Sequence, residues 1–540
     1  MWTTRQLWEH MIIEGGTLAN GSRLRTDVCV VGAGPAGLTV ASRLADAGHD
    51  VLVIEGGGRH HTRADNDTLR GSGSGSPIQL VRSRQCGFGG TSGHWQPHTG
   101  LRIRPLDPID FASRPGRATS WPFGRNELDR YYRESQDELA IPYDYDELRW
   151  RNDGTTSIVW PDGPELATFH FAEHDVFVRR YEEFAASSRV NVALHTSCHG
   201  IALGHDGATV THLDVVGPQG GRAQVAARAF VLAAGGIDNA RLLLASPGRS
   251  GVGVGNEHDN VGRYFMDHLA VDTGRMIPLD DKIGLEVFRV RRRSPICRSQ
   301  TMLWLGNDRL ERDGLLNAAF VLTEVDPAYL SVGVGAVRSL RAARHSSPHG
   351  PLLPHVRRAV GDPIGVATFA RRSVLRRRPR VASISMRIFT EQAPDRNSRV
   401  TLGGQRDARG IPRVDVDWRI SSGDLDLIRA HQDSLSLMLE AKGVARVDDR
   451  FDAGHHASPV MPMYHHIGTT RMHSDPRHGV VDAASRVHST TNLYVTGSSV
   501  FSTGGYINPT LTIIALARRL CVQVAHDIGP TTVRREASTG

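Results

Sequence analysis

The residues best suited to chemistry lie near the C-terminus. His465-His466-Ile467-Gly468-Thr469-Thr470-Arg471-Met472 is followed by Gly504-Gly505-Tyr506-Ile507-Asn508-Pro509-Thr510 and then an apolar run. A neutral histidine is the natural base near neutral pH, and an amide orients a hydroxyl without competing for its proton. Taking a hydroxyl proton while the carbon gives up hydride to a flavin N5 is alcohol oxidation, and this pair has the parts for it. Proline favours the first turn of a helix, so the spacing predicts Asn508 as the N-cap of a helix over 509–522. That helix would turn its positive end toward the same spot, where it would steady the negative charge of a reduced flavin. The alternative for Asn508 is a helix cap and nothing more. Of the two adjacent histidines, motif spacing favours His465 over His466 as base.

A second set of residues lies near the N-terminus. Asp27 to Val31 is a short β-branched run followed by Gly32-Ala33-Gly34-Pro35-Ala36-Gly37. Leu38 to Ala47 has helical spacing, Gly48 ends it, and Val51 to Ile54 is a second strand finishing at Glu55. This is a complete βαβ unit. Gly32 allows the tight turn, Gly34 lets the backbone approach a pyrophosphate, and Gly37 lets helix and strand pack closely. Glu55 is placed to accept hydrogen bonds from a ribose diol. The motif alone does not separate FAD from a nicotinamide cofactor. Gly89-Gly90-Thr91-Ser92-Gly93-His94-Trp95 favours flavin, because such glycines let backbone approach a flat ring. His94 has three readings: a covalent attachment to the flavin methyl, a hydrogen-bonding site residue, or a packed core histidine. Gly235-Gly236-Ile237-Asp238-Asn239-Ala240, after Val231 to Ala234, reads as a second nucleotide contact or as a strand–turn–helix with a capping Asp or Asn.

Other elements must hold these groups in place. Residues 1–25 read as a helix and a turn, and 58–78 as a polar loop. Phe230 to Ala234 reads as a buried strand, and about Asn239 to Ala245 as a helix. Ser398 to Trp418 alternates like a hairpin, and Asp424 to Lys442 is an amphipathic helix. Leu493 to Val495 is a strand that returns the chain to the nucleotide domain. Residues 340–380, rich in Arg, Pro and His, read as a mobile insertion. The expected division is a cofactor domain over 1–270 with insertions, a mainly substrate-binding part over 271–455, a return to the cofactor domain over 456–528, and a frayed tail over 529–540.

Composition narrows the classes. With 540 residues, 39% of them hydrophobic, the chain can build a large core and two domains sharing a cleft. No apolar run is long enough to span a membrane, and the start lacks a signal-peptide core, so a cytoplasmic protein is expected. Five scattered cysteines without a CxxC pair argue against a disulfide framework or a zinc site, and no metal is expected. Cys29 and Cys521 read as core residues. The net charge is +7, yet only Lys282 and Lys442 among 64 basic residues are lysine, which reads as the codon bias of a GC-rich genome. Without a nucleic-acid motif, the Arg-rich runs 289–298 and 371–380 read as solvated surface, and nucleic acid is not an expected partner.

Taken together, these residues resemble the glucose–methanol–choline (GMC) oxidoreductases, FAD enzymes that oxidise alcohols and sugars. The resemblance is strongest over 460–520 and weak over 280–385. It implies an α/β fold (α+β overall), in which a glutathione-reductase-type FAD-binding domain is interleaved with a β-sheet substrate domain. In the family's H-x-x-G-T pattern the base falls on His465, and the second catalytic position on Asn508. Asn-Pro-Thr here looks like the pyranose oxidase and fructose or gluconate dehydrogenase branch. In pyranose oxidases the histidine of a similar Gly-Gly segment carries the flavin covalently, and His94 occupies that place. The resemblance adds Ala234, Gly497, Asn508, Pro509 and Thr510 to the cofactor contacts, beside Gly32, Gly34, Gly37, Glu55, Gly89 and Gly90. It implies a sugar or glycoside substrate, including a sugar hydroxyl of an aminoglycoside-type antibiotic or, catabolically, a C- or O-glycoside or pyranose. Oxygen or another acceptor would take the electrons, and any haem would lie on a partner, since no CxxCH is present. The remaining alternatives are a nicotinamide-dependent dehydrogenase and a flavin-bearing electron-transfer subunit.

Overall fold

The computed structural model describes residues 12–95, 101–114, 121–143, 158–173, 175–279, 283–292, 297–325, 383–448, 451 and 460–530, with short pieces between 336 and 367. The Arg371–Arg380 run and most of the expected insertion at 340–380 lie outside the described residues.

The first sheet has a parallel centre built from apolar, β-branched segments. Strand Val51–Ile54 pairs with Ser22–Val31, and Ser22–Val31 pairs with Arg222–Leu232. Val190–Leu194 adds to one side, and Leu493–Val495 pairs with Phe230–Leu232 on the other. Two antiparallel strands, Val210–Val216 and Ser197–Leu203, extend the edge. Val28, Cys29, Val30, Val51, Leu52, Val53, Phe230 and Val231 are fully buried, as continuous apolar runs covered on both faces must be. Because the central strands are parallel, their carboxyl ends share one edge: Gly32, Glu55, Thr196, Ala234 and Gly497 follow five neighbouring strands. An open α/β sheet takes its ligand at that edge.

Four helices matter for the site. Helix α1 (Pro35–Asp46) starts one turn earlier than its apolar spacing suggests, because Pro35 is pre-set for the first helical position. Helix α2 (Gly235–Ala245) begins at the glycine pair itself. Helix α3 (Ser422–Ala441) is started by a capping box between Ser421 and Asp424. Helix α4 (Thr510–Ile528) packs against α1, where Cys521 Sγ lies 3.8 Å from the Val40 carbonyl.

The second large sheet is antiparallel. Its strands include Leu101–Ile103, Glu165–Ala172, Arg298–Trp304, Ala318–Val325, Ser383–Thr390 and Leu269–Pro278. Two of them, at 101–103 and 165–172, come from within the first 270 residues. Leu269–Pro278 also pairs with Met461–Pro462, in register Leu269↔Pro462, and Met266 exchanges two backbone hydrogen bonds with Ile467. This pairing lays Asp267 and His268 alongside Tyr464, His465 and His466.

Several sequence expectations are corrected. Of the helix and turn expected over 1–25, residues 1–11 lie outside the described residues, and 12–25 hold a short strand at Ile12–Glu14, one 3-10 turn at Gly15–Thr17 and the start of Ser22–Val31. The 58–78 segment is not all loop: Gly71–Gly75 is a strand parallel to Pro412–Trp418. It joins the expected hairpin of Arg399–Arg406 and Pro412–Trp418, whose Val400, Val414, Val416 and Trp418 form a small second core.

Candidate active site

A groove opens at the shared strand edge. Gly32, Gly34, Glu55, Gly90, Ala234, Gly497, Asn508, Pro509 and Thr510 line it, and His465 stands near the Asn508 end. Three expected residues are absent from its lining. Gly37 lies behind, where a Cβ would stand 1.9 Å from the Gly32 carbonyl oxygen, so its smallness serves helix–strand packing. Gly89, at φ +89, anchors its loop by donating its N–H to Ala33 O at 2.8 Å. His94 is exposed and outside the lining, although Gly90, Thr91, Ser92 and Trp95 belong to it. The core-histidine reading of His94 is therefore corrected.

The groove suits an elongated anionic ligand. The N-termini of α1, α2 and α4 all open into it, and among the described residues no side chain caps any of them. Free N–H groups and helix dipoles at one surface favour negative charge. A Cβ on Gly34 would meet nothing within 4 Å, so the space above it belongs to whatever fills the groove. The Glu55 carboxylate is largely engaged: Oε1 accepts from Gly57 N at 3.0 Å and Gly87 N at 2.8 Å, and Oε2 accepts from Ala33 N at 2.9 Å. Oε2 keeps room for one further donor, as a ribose hydroxyl would supply. Asp238, at the α2 turn, pairs with Arg84 at 2.6 Å and Arg241 at 2.8 Å. Burial pushes its carboxyl up, but the two guanidinium groups outweigh that and hold it below the usual range. Asn239 ties this turn to the C-terminal part: Oδ1 accepts from Ala234 N, while Nδ2 donates to Thr496 O and Ser499 Oγ.

At the other end of the groove, His465 and Asn508 meet. Asn508 Nδ2 lies 3.1 Å from His465 Nε2. One expectation is corrected: Asn508 is not the cap of the last helix. The flanking residue is Pro509, the helix runs from Thr510 to Ile528, and the Asn508 amide faces His465 instead. The two groups are half-buried and open on the groove.

The backbone around His465 is over-determined. Asp267 accepts from Tyr464 N at 2.9 Å and from His465 N at 2.8 Å. Tyr464 is held at φ +61, a left-handed conformation costing a bulky residue about 1–3 kcal/mol. The Asp267 clamp holds that strain in place. Burial pushes the Asp267 carboxyl up to about 7, against the pull of its backbone donors. On the far side of the His465 ring, Nδ1 lies 2.8 Å from His268 Nδ1, and His268 Nε2 is 3.1 Å from Gly504 O. Burial pushes the His465 imidazole well below the ordinary histidine value, and His268, His466 and Arg102 add to the effect. His268, fully enclosed, is pushed down to about 4 by burial. His466 also lines the groove, but its ring is buried against Phe265 at 5.5 Å, burial pushes it down to about 3, and the Asn508 contact is made by His465. The geometry therefore separates the two neighbouring histidines.

Sequence reasoning missed Asp267, His268 and Arg84. A usable signal was present for the first two, since an adjacent acid and histidine directly precede the buried strand beginning at Leu269. Among the described residues, no cluster of three or more His, Cys, Asp or Glu side chains is arranged to hold a metal, and no helix is long and apolar enough to cross a membrane.

Comparison with known proteins agrees with this architecture. Residues 394–517 match the GMC oxidoreductase family, and residues 30–73 match an NAD(P)-binding Rossmann-like domain. The chain is 26% identical to paromamine 6'-oxidase of Streptomyces fradiae, over 93% of this chain and 92% of that protein. It is 23% identical to 2-methyl-1,2-propanediol dehydrogenase of Mycolicibacterium austroafricanum, over 92% and 94% respectively. Among solved structures, pyridoxine 4-oxidase from Mesorbium loti has a similar fold, with TM-score 0.53 at 17% identity over 93% of this chain and 99% of that one.

Proposed function

We propose, from the match of residues 394–517 to the GMC oxidoreductase family, that the protein oxidises a hydroxyl of a sugar or glycoside to a carbonyl, with FAD in the groove. One observation carries the reading: His465 Nε2 and Asn508 Nδ2, 3.1 Å apart, converge where a helix N-terminus meets the groove.

FAD bound there would supply the hydride acceptor. Its pyrophosphate is expected over Gly32, Gly34 and the start of α1, with Glu55 toward a ribose. The chain's own residues do the rest. His465 takes the hydroxyl proton at Nε2, since burial favours the neutral ring and a neutral ring has a lone pair to offer. Asn508 fixes the hydroxyl beside that nitrogen and steadies the developing alkoxide. The uncapped start of α4, at Pro509 and Thr510, directs positive potential at charge that builds nearby.

The substrate class rests on the relative that oxidises paromamine, an aminoglycoside; the diol dehydrogenase relative shows that whole-chain likeness alone does not demand a sugar. The test is anaerobic mixing of the yellow holoprotein with a panel of monosaccharides, glycosides, aminoglycosides and simple diols, following loss of the visible flavin band and identifying the product. Bleaching by a sugar or glycoside, abolished in His465→Ala, is the expected result. Bleaching by simple diols alone would overturn the substrate class, and bleaching that survives in His465→Ala would overturn the base. Acid precipitation decides whether His94 carries the flavin, since covalent flavin stays with the pellet.

A further inference from the structure

We infer that His268 is a positioning residue for the reaction: as a neutral hydrogen-bond acceptor it holds the His465 ring in the one tautomer that leaves Nε2 bare. The inference rests on the base role proposed for His465.

The argument follows the hydrogen bonds from the closed end outward. The Gly504 carbonyl can only accept, so His268 Nε2, 3.1 Å away, carries its proton. His268 is fully enclosed, with two ring hydrogen bonds and, among the described residues, no anionic side chain bonded to it, so it is neutral. A neutral imidazole protonated at Nε2 has a bare Nδ1 that can only accept. That nitrogen faces His465 Nδ1 at 2.8 Å, so His465 Nδ1 must donate. His465, neutral in turn, is left with a lone pair on Nε2, the nitrogen that faces Asn508 Nδ2 at 3.1 Å. Each donor in the chain meets an acceptor, and the opposite assignment would leave two lone pairs facing each other between the rings. Backbone geometry fixes the same arrangement. The pairing of Leu269 with Pro462 and of Met266 with Ile467 brackets both histidines, and Asp267 clamps the His465 N–H.

Choosing histidine rather than a carboxylate for this place has a consequence. A carboxylate would also hold Nδ1–H, but it would set a full negative charge beside the site where a reduced flavin must carry its own. The neutral ring orients without adding charge.

The test uses the FAD-loaded full chain. Nitrogen-15 NMR of histidine-labelled protein reads the tautomer directly, with the His465 and His268 signals identified by their loss in His465→Ala and His268→Leu. The expected result is a proton on Nδ1 of His465 and on Nε2 of His268. A proton on His465 Nε2 in the neutral ring would overturn the inference, whatever the variants do. Kinetically, His268→Leu removes the acceptor and lets His465 populate the wrong tautomer. Anaerobic flavin reduction should slow at least about tenfold at unchanged substrate affinity, a part of the roughly 100- to 10,000-fold that general-base catalysis contributes. A folded, FAD-loaded His268→Leu protein that reduces at the wild-type rate would overturn the inference. If His465→Ala is inactive while His268→Leu is not, the positioning role alone fails. If neither variant slows reduction, the base assignment fails.

Discussion

Gly236 offers a sharp test of how the site is held. It is the second glycine of α2 and touches no reacting group. An ideal Cβ at this position would stand 2.2 Å from the His466 carbonyl oxygen and 2.7 Å from both its carbonyl carbon and its Cβ. Ordinary contact would require those atoms to retreat by roughly 1 Å. Neither side is free to yield cheaply. Thr469 Oγ1 donates to Gly236 O, and Ser498 Oγ donates to His466 O at 2.6 Å, so α2 and the His465–His466 segment are laced together. Gly236→Ala should therefore cost about 1–3 kcal/mol of stability through overpacking. If the histidine segment shifts by that ångström, His465 leaves its register with Asn508, and flavin reduction should fall by about 100-fold. If α2 shifts instead, Ala234 and Gly235 move in the groove and FAD affinity falls. The assay is stopped-flow anaerobic reduction with the best substrate from the panel, alongside FAD titration and thermal melting. Gly404→Ala is the control, since a Cβ there meets nothing within 4 Å. A Gly236→Ala protein matching wild type in melting, FAD affinity and reduction rate would refute the reasoning.

Further outcomes are expected. Gly34→Ala, whose Cβ meets nothing in the protein, should leave apo-protein melting unchanged and weaken FAD binding, whereas Gly37→Ala, facing the Gly32 carbonyl at 1.9 Å, should destabilise the fold itself; titration and melting of both variants check the contrast. Arg84→Ala strands buried Asp238 with one guanidinium partner fewer, for a loss of about 3 kcal/mol read by denaturant melting. In the proposed base role His465 acts when neutral, and its pKa is depressed, so the acid limb of the reduction rate should fall below the ordinary histidine value of 6.5, with activity lost only as pH drops through the lowered pKa. Asp267 has its folded pKa raised to about 7, so the folded state binds the extra proton and this group's contribution to stability falls as pH rises from its unfolded value through about 7. Asp267→Asn should abolish that slope, so the wild-type melting temperature minus the variant's should decrease across this window.

Legibility in the sequence followed the range of the contact. The βαβ unit could be read because period, glycine spacing and strand length are local, and Leu493–Val495 is a three-residue run of unmistakable burial. His465 and Asn508 were found from residue type and neighbours, and the structure brings their side chains together. Asn508 as a helix cap failed because Pro509 takes the flanking position, while the Asn508 amide nitrogen meets distant His465. Gly71–Gly75 could not be found: Gly-Ser-Gly-Ser-Gly has no strand propensity, and it is a strand only because Pro412–Trp418 lies beside it. His268 escaped for a related reason. Its contact with His465 spans 197 residues and exists only through the pairing of two strand ends.

The strand order also sets a timetable for making the protein. Phe230–Leu232 lies between Cys29–Val31 and Leu493–Val495, so the centre of the first sheet draws on three distant stretches of chain. At about 5–20 residues per second, a ribosome takes tens of seconds to travel from the second of these to the third. Through that interval the nascent chain presents an apolar strand edge with no neighbour, an invitation to wrong pairing that chaperones must shield. Flavin capture has to wait for the helix Thr510–Ile528, because its start forms one wall of the groove. A message truncated before Leu493 would yield neither a closed sheet nor a docking place for the cofactor.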